Sequence, residues 1–167
     1  MTNEELRVCF DGIRAGDKTA FAVLYHDMKT PVFTVILRIV VGRETAEDVM
    51  QELFLRLYQS PPEPSVQNLR AWIFRMARNL AIDERRRARE TAELQDADLM
   101  DPRDLDAALD VERALTALPM EEREIVTLHL NAGLSFREIA EVMGISLPAV
   151  YRRYRRALKT LEKLLKG

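Results

Sequence analysis

Between positions 90 and 112 the chain carries nine carboxylates against a single cation, Arg103, a net charge of −8. No aromatic residue falls from Glu90 to Asp110, and Asp96, Asp98, Asp101, Pro102, Asp104 and Asp106 interrupt any apolar periodicity. Like charges at this density repel one another and leave too little apolar surface to offset the entropy of ordering. The stretch therefore cannot be part of a core and must divide the chain. An N-terminal domain over residues 1–90, an acidic flexible linker over 91–108 and a C-terminal domain over 109–167 are expected.

The same segregation explains a misleading total. The whole chain of 167 residues has a formal charge of −2, which taken alone argues against a nucleic-acid ligand. Residues 70–89, however, hold seven arginines (Arg70, Arg75, Arg78, Arg85, Arg86, Arg87, Arg89) against Asp83 and Glu84, and residues 146–167 hold seven Lys or Arg against Glu162. Two compact basic segments are masked by the acidic one. Other classes fall away on composition. One cysteine, Cys9, cannot form an internal disulfide, and with only His26 and His129 beside it no zinc set is credible. No Ser or Cys nucleophile motif and no Gly-rich phosphate loop occurs. Each histidine lies in a helical pattern and reads as a partly buried helix residue rather than a base. No enzyme activity and no cofactor are expected. No apolar run approaches the ~18 residues of a membrane span, and acids stand where a signal peptide would be basic and apolar, so a cytoplasmic location is expected.

The apolar spacing is helical almost throughout, and no segment alternates as a strand would; the fold class is all-α. Asp17 can cap a helix carrying Phe21, Leu24 and Tyr25. Thr30-Pro31 then starts or kinks the next one, with Val32, Ile36, Ile39 and Val40 continuing to Gly42. Thr45 followed by Asp48 resembles a capping box opening a helix to about Tyr58, with Val49, Leu53 and Leu57 inside. The three prolines of residues 60–65 exclude regular helix there. Asn68 caps a long helix to about Arg87, with Leu69, Ile73, Met76 and Leu80 on its apolar face. Leu118-Pro119 separates two further helices, and Gly133 ends the second.

The sharpest local signal follows. Ser135-Phe136-Arg137-Glu138 is a capping box ahead of Ile139, Ala140 and Val142, Gly144 supplies a tight turn, and Ser146 caps a second helix with Pro148 in its first turn. Two short helices joined this way form a helix-turn-helix. On the second helix Val150, Tyr154, Ala157, Leu158, Leu161 and Leu165 make one apolar stripe, and Arg152, Arg153, Arg155, Arg156 and Lys159 lie off it. Arginine's planar fork suits both guanine edges and phosphates, so this face fits a DNA major groove. The competing explanation is a solvated face compensating the helix dipole, but that favours cations near a C-terminus, whereas these four arginines stand near the helix start.

Three motifs in order carry a resemblance over nearly the whole chain. They are Thr45-Ala-Glu-Asp48-Val-Met-Gln51-Glu52-Leu-Phe54-Leu55, then Asn68-Leu-Arg-Ala-Trp72-Ile-Phe-Arg-Met-Ala-Arg78-Asn79-Leu-Ala-Ile-Asp83, then Leu118-Pro119 with Arg123-Glu-Ile-Val-Thr-Leu and Gly133-Leu-Ser-Phe-Arg-Glu138-Ile-Ala. The sequence resembles the two-domain bacterial sigma factors of the extracytoplasmic-function type. The resemblance implies that Asp48, Gln51, Glu52 and Leu55 dock on the clamp helices of core RNA polymerase. Those four share one helix face, a polar rim with an apolar anchor, and an ordinary amphipathic surface helix would look the same. The resemblance also implies that the loop at 60–67 captures a base of the melted minus-ten element, with Arg70, Arg78, Arg85 and Arg86 on phosphates. Trp72 is equally readable as core or as a stacking platform, and Asn79, one turn from Asp83, shares that ambiguity. Ser135, Arg137, Ala149, Tyr151, Arg152, Arg153, Arg155 and Arg156 would face the double-stranded minus-thirty-five element. Tyr154, on the apolar stripe, reads as packing. An anti-sigma factor is a further implied partner, and no membrane insertion is implied.

The alternative from another class is a helix-turn-helix regulator that never touches polymerase. The C-terminal domain alone would permit it; the N-terminal domain, with its own basic helix and no ligand-pocket character, argues against it. If the arginine face of residues 152–156 binds DNA, segment 109–167 should show a steep salt dependence. About five phosphate contacts give a log–log slope near −4.5, measurable by titration at several salt concentrations, and a flat dependence would leave the face merely solvated.

Overall fold

The computed structural model describes residues 1–91 and 109–166. Eight helices occur among them: α1 (Asn3–Arg14), α2 (Lys18–Leu37), α3 (Arg43–Gln59), α4 (Leu69–Thr91), α5 (Leu109–Ala117), α6 (Met120–Leu130), α7 (Phe136–Met143) and α8 (Leu147–Lys166). The all-α expectation holds. Most of the acidic linker expected at 91–108 lies outside the described residues, while Thr91 is the last residue of α4.

Helix α1 escaped the sequence reading. Its signal is short but complete: Thr2 accepts a hydrogen bond from the Glu5 amide, and Leu6, Cys9, Phe10 and Ile13 form a buried stripe. Asp17 caps α2 as expected, accepting from the Thr19 amide. Pro31 neither starts nor divides a helix; it lies inside α2. Proline in an interior removes one hydrogen bond and crowds the preceding turn. Here Leu24 and Met28 before it, and Val32, Val35 and Ile36 after it, are buried on one face, so packing carries the helix through. The capping box expected at Thr45 is also displaced. Helix α3 begins at Arg43 after Gly42, whose φ of 90° suits glycine and whose position has no side-chain cap. Ala46, fully buried, starts the inner stripe a turn earlier than the sequence suggested.

The helix-turn-helix is as expected. Ser135 and Glu138 form a reciprocal capping box on α7, and Gly144 ends that helix in the left-handed region at φ 67°. Ser146 accepts from the Ala149 amide at the start of α8. The apolar stripe of α8 is only partly used: Val150 and Ala157 are buried and Tyr154 and Leu161 partly so, while Leu158 and Leu165 are exposed. The stripe is wider than the surface that α5 and α6 offer it. His26 is exposed on α2, correcting its expected partial burial; His129 is partly buried.

The two halves do not stand apart. Ile125, Leu128, Leu134, Ile139, Val142, Met143 and Val150 join the buried residues of α1–α4 in one hydrophobic cluster. A smaller one, Leu115, Leu118, Val126 and Ala157, lies within the C-terminal half. Helix α4 packs on α7, and α2 touches α6. Around this apolar seam runs a set of arginine contacts. Arg78 donates from Nε to Glu124 at 2.5 Å, with the Glu124 side chain only 3% exposed. Arg38 donates to Thr127 Oγ1 at 3.0 Å, Asn131 Oδ1 at 2.6 Å and Glu112 at 2.8 Å. Arg70 donates to the carbonyls of Ala132 and Gly133.

Burial pushes the Glu124 carboxyl above the usual glutamate range, outweighing the opposing hydrogen bond and charge of Arg78. Because the folded-state value is the raised one, this group's contribution to stability is full below the ordinary glutamate range and is lost as pH rises through the raised value. Arg78→Ala would leave a buried carboxylate unpaired, at a cost of about 3 kcal/mol or more. That cost is relieved if α6 leaves α4 and Glu124 meets water. The variant should therefore expand, read as a larger radius of gyration in small-angle scattering, while Arg78→Met with Glu124→Leu should stay compact. An Arg78→Ala protein as compact as the parent would show that the pair does not hold the halves together.

Candidate nucleic-acid interface

Helix α8 owes its setting to an aromatic cluster. The His129 ring stacks on Phe136 at 4.4 Å between centroids and meets Tyr154 edge-on at 5.2 Å; Phe136 also touches Tyr151 at 5.0 Å and Tyr154 at 4.9 Å. His129 Nδ1 lies 2.9 Å from the Leu134 carbonyl oxygen, which fixes the proton on that nitrogen as the donor. These rings tie α6, α7 and α8 together at the turn, as expected for Tyr154. Tyr151 meets Phe136 at a tilt and is 45% exposed.

Arg152, Arg155, Arg156 and Lys159 are exposed on α8, and at 100° per residue they share one face. Arg156 lies 3.7 Å from the buried Glu122. Arg153 is turned toward α6, 2.8 Å from Glu121, so it stands apart from the other three. On α7 Arg137 is exposed, and Ser135 spends its hydroxyl on the helix cap. Ala149 is buried.

Helix α4 presents a more divided picture. Arg70 and Arg78 are both engaged by the C-terminal half, Arg70 also lying 3.8 Å from Glu138. Arg85 donates to the Ile39 carbonyl at 2.8 Å and ties α4 to the end of α2. Arg86 is exposed and pairs locally with Asp83 at 3.2 Å. On another flank Trp72, Arg75, Met76, Asn79, Leu80 and Asp83 line an open groove together with Arg56 of α3. The structure thus brings Trp72 and Asn79 together. Trp72 is half-buried, its inner side against the core, which serves both readings left open by the sequence. Arg75 belongs to this groove and was absent from the expected site; its signal was its i+3 spacing from Trp72 and i−4 spacing from Asn79.

The cations Arg38, Arg85 and Arg123 gather where α2, α4 and α6 meet. Burial, and next the Arg85 charge, pull the Arg123 guanidinium below its ordinary value. Arg38 could not be singled out from sequence because its partners lie at positions 112, 127 and 131. On α3, Asp48, Gln51, Glu52 and Leu55 are all exposed. Leu55 is 53% exposed, a large apolar side chain offered to solvent beside three polar ones. Glu52 is paired with Arg56 at 2.7 Å.

Among the described residues no helix is long and apolar enough to cross a membrane, and no group of three or more metal-ligating side chains occurs.

Residues 24–91 match the family described as Sigma-70 region 2, and residues 108–161 the family described as Sigma-70, region 4. The ECF RNA polymerase sigma factor SigL of Mycobacterium tuberculosis is 32% identical over 165 residues, spanning 92% of this chain and 93% of its own. SigW of Bacillus subtilis, also an ECF RNA polymerase sigma factor, is 26% identical over 92% of this chain and 93% of its own. Among solved structures, CnrH in complex with the cytosolic domain of CnrY matches with a TM-score of 0.74 and 25% identity over 97% of each chain. The sigma factor RpoE in complex with the anti-sigma factor NepR from Bartonella quintana matches with a TM-score of 0.63 and 26% identity over 81% of this chain and 89% of that one. With two sigma-70 regions in chain order and a relative of this similarity along nearly its full length, the chain belongs to the sigma-70 family, among the ECF RNA polymerase sigma factors.

Proposed function

We propose that the chain binds core RNA polymerase through the exposed α3 face of Asp48, Gln51, Glu52 and Leu55 and directs it to promoters with two DNA-binding surfaces. The observation that carries this reading is the pairing of that exposed face with two cationic helices, α4 and α8, on separate halves of one chain. Residues 1–90 serve polymerase docking and the minus-ten element, and residues 109–167 the minus-thirty-five element, with 91–108 as the acidic connection. The chain acts in the cytoplasm as a specificity subunit, without catalysis of its own. Double-stranded and melted promoter DNA are its nucleic-acid partners. An anti-sigma protein is a further partner, a reading supported by the similar sigma factor RpoE having been co-crystallised with the anti-sigma factor NepR.

Reading both elements requires the halves to part, because Arg70 and Arg78 are held by the C-terminal half in the closed arrangement. Once freed, they join Arg86 along α4 as phosphate contacts. Trp72 and Asn79 supply a stacking surface and an amide in the adjacent groove. Arg85 stays tied to the Ile39 carbonyl and contributes positive potential rather than a direct contact. On α8, Arg152, Arg155 and Arg156 with Tyr151 form the reading and phosphate-binding face; Arg137 reaches the backbone from α7, Ser135 orients that helix, and Ala149 permits close packing beneath it. Arg153 becomes available only when it leaves Glu121.

Run-off transcription with purified core polymerase and a promoter library tests the reading. Promoter-dependent initiation is expected; DNA binding with no initiation and no core association would instead support a free-standing regulator. Leu55→Ala or Asp48→Lys should weaken capture of core enzyme in a pull-down, and unaffected capture would remove the α3 assignment. Arg152→Ala should cost about 1–3 kcal/mol of upstream-element binding if the guanidinium makes a bidentate base contact. A uniform loss across all sequences would reduce its role to phosphate binding.

A further inference from the structure

Resting on the reading of residues 60–67 as the base-capturing loop, we propose that Arg7 and Arg14 of α1 are positioning residues that set this loop's shape and hence the base it selects. Three of its eight residues are proline. Proline has no backbone N–H, so the loop cannot satisfy its own carbonyls with a regular ladder of turns. One internal turn bond forms, from the Val66 amide to the Glu63 carbonyl at 3.0 Å. Four further carbonyls of the loop are met from α1. Arg7 donates from Nη1 to the Pro64 carbonyl at 3.1 Å and from Nη2 to those of Val66 at 3.1 Å and Gln67 at 3.5 Å. Arg14 donates from Nη2 to the Pro62 carbonyl while Asp11 holds its other nitrogen at 2.9 Å.

The spacing makes the clamp possible. Residues seven apart share a helix flank and stand about 10.5 Å apart along the axis, enough to grip both ends of a short loop. Neither arginine belongs to the buried stripe of Leu6, Cys9, Phe10 and Ile13 that docks α1, so the helix stays in place without them. At its first residue α1 also meets α4: Asn3 Oδ1 accepts from the Arg70 amide at 2.9 Å. One helix therefore fixes the loop relative to the start of α4.

With these carbonyls drawn inward, Pro62 is buried and Ser60, Glu63, Pro64, Ser65 and Gln67 are exposed; between the clamped ends the polar side chains facing solvent are those of Glu63, Ser65 and Gln67. Carboxylate, hydroxyl and amide are groups able to hydrogen-bond the Watson–Crick edge of an unstacked base. Their mutual placement depends on backbone conformation that the loop alone does not specify. The ligand class is thus one flipped base of a single DNA strand, chosen by a surface that α1 shapes without touching it.

The test assembles the full chain with core polymerase and selects from single-stranded oligonucleotides randomised across the minus-ten region. The wild-type holoenzyme should enrich one base at the captured position. Arg7→Ala with Arg14→Ala should flatten that enrichment by about fivefold or more, the low end of what one misread base costs. Capture of core enzyme and the unfolding midpoint should stay near wild type, which a merely destabilising change would not allow. Arg7→Gln, which keeps a donor but not the two-pronged fork, gives the same readout in a milder variant and should fall between. Undiminished enrichment in these variants overturns the positioning role, whereas a wild-type holoenzyme with no base preference overturns the base-capture reading itself.

Discussion

Arg78 and Glu124 meet in a place that neither would occupy alone. A carboxylate with 3% of its side chain exposed is tolerable only with a partner, and burying the pair is close to neutral beside well-packed apolar groups of the same size. Its consequence is geometric: it fixes α6 on α4, and with it the closed arrangement of the halves. The neighbouring contacts have the same character. Arg38 reaches three acceptors on α5, α6 and the turn after it, and Arg70 two carbonyls before α7. Arginines from the N-terminal half meet carboxylates and carbonyls of the C-terminal half around an apolar seam. The polar contacts thus form a rim around a hydrophobic cluster that both halves share.

The choice of arginine gives that interface its relation to DNA. A guanidinium fork fits a carboxylate, a carbonyl pair or a phosphate with the same donors. On the proposed function, Arg70 and Arg78 cannot hold Glu138 and Glu124 and a promoter phosphate at once. Closure and engagement of the minus-ten strand then exclude one another through shared atoms. Among the described residues, Arg152 and Arg155, exposed on α8, have no hydrogen bond or ion pair with the other half, and the ion pair of Arg156 is with Glu122 of its own half, which makes the two proposed DNA-binding surfaces unequal in the closed protein.

Local chemistry made much of this legible in the sequence. The capping box at Ser135, the left-handed Gly144 and the Asp17 cap depend on residues within a few positions of one another, and each lies where its residue types require. The Asp48–Leu55 face was readable for the same reason, since helical periodicity alone decides what shares a flank. Reading failed where tertiary packing overruled local preference. Pro31 should break a helix, yet apolar residues on both sides bury on one core. The Thr45 box lost to a stripe beginning at Ala46. Roles failed wherever a partner was distant: nothing near Arg38 announces position 131, and nothing near Arg7 announces a loop some sixty residues away. Arginine in particular hides its use, because its fork serves a carbonyl, a carboxylate or a phosphate equally well.

The near-neutral total charge acquires a different meaning once the halves are closed. The basic segments of α4 and α8 are not merely offset by the acids between them; part of the positive charge of α4 is consumed by contacts with the C-terminal half. A ligand that needs the open arrangement binds more weakly in proportion to the open fraction. If closure is favoured by about 3 kcal/mol, roughly one molecule in a hundred is open, and affinity for melted DNA falls by that factor without any change at the contacts themselves. On the proposed function, polymerase docks on the α3 face that closure leaves exposed. The proposed order of events follows from that asymmetry: a surface available in the closed state is engaged first, and the surfaces consumed by closure are released afterward.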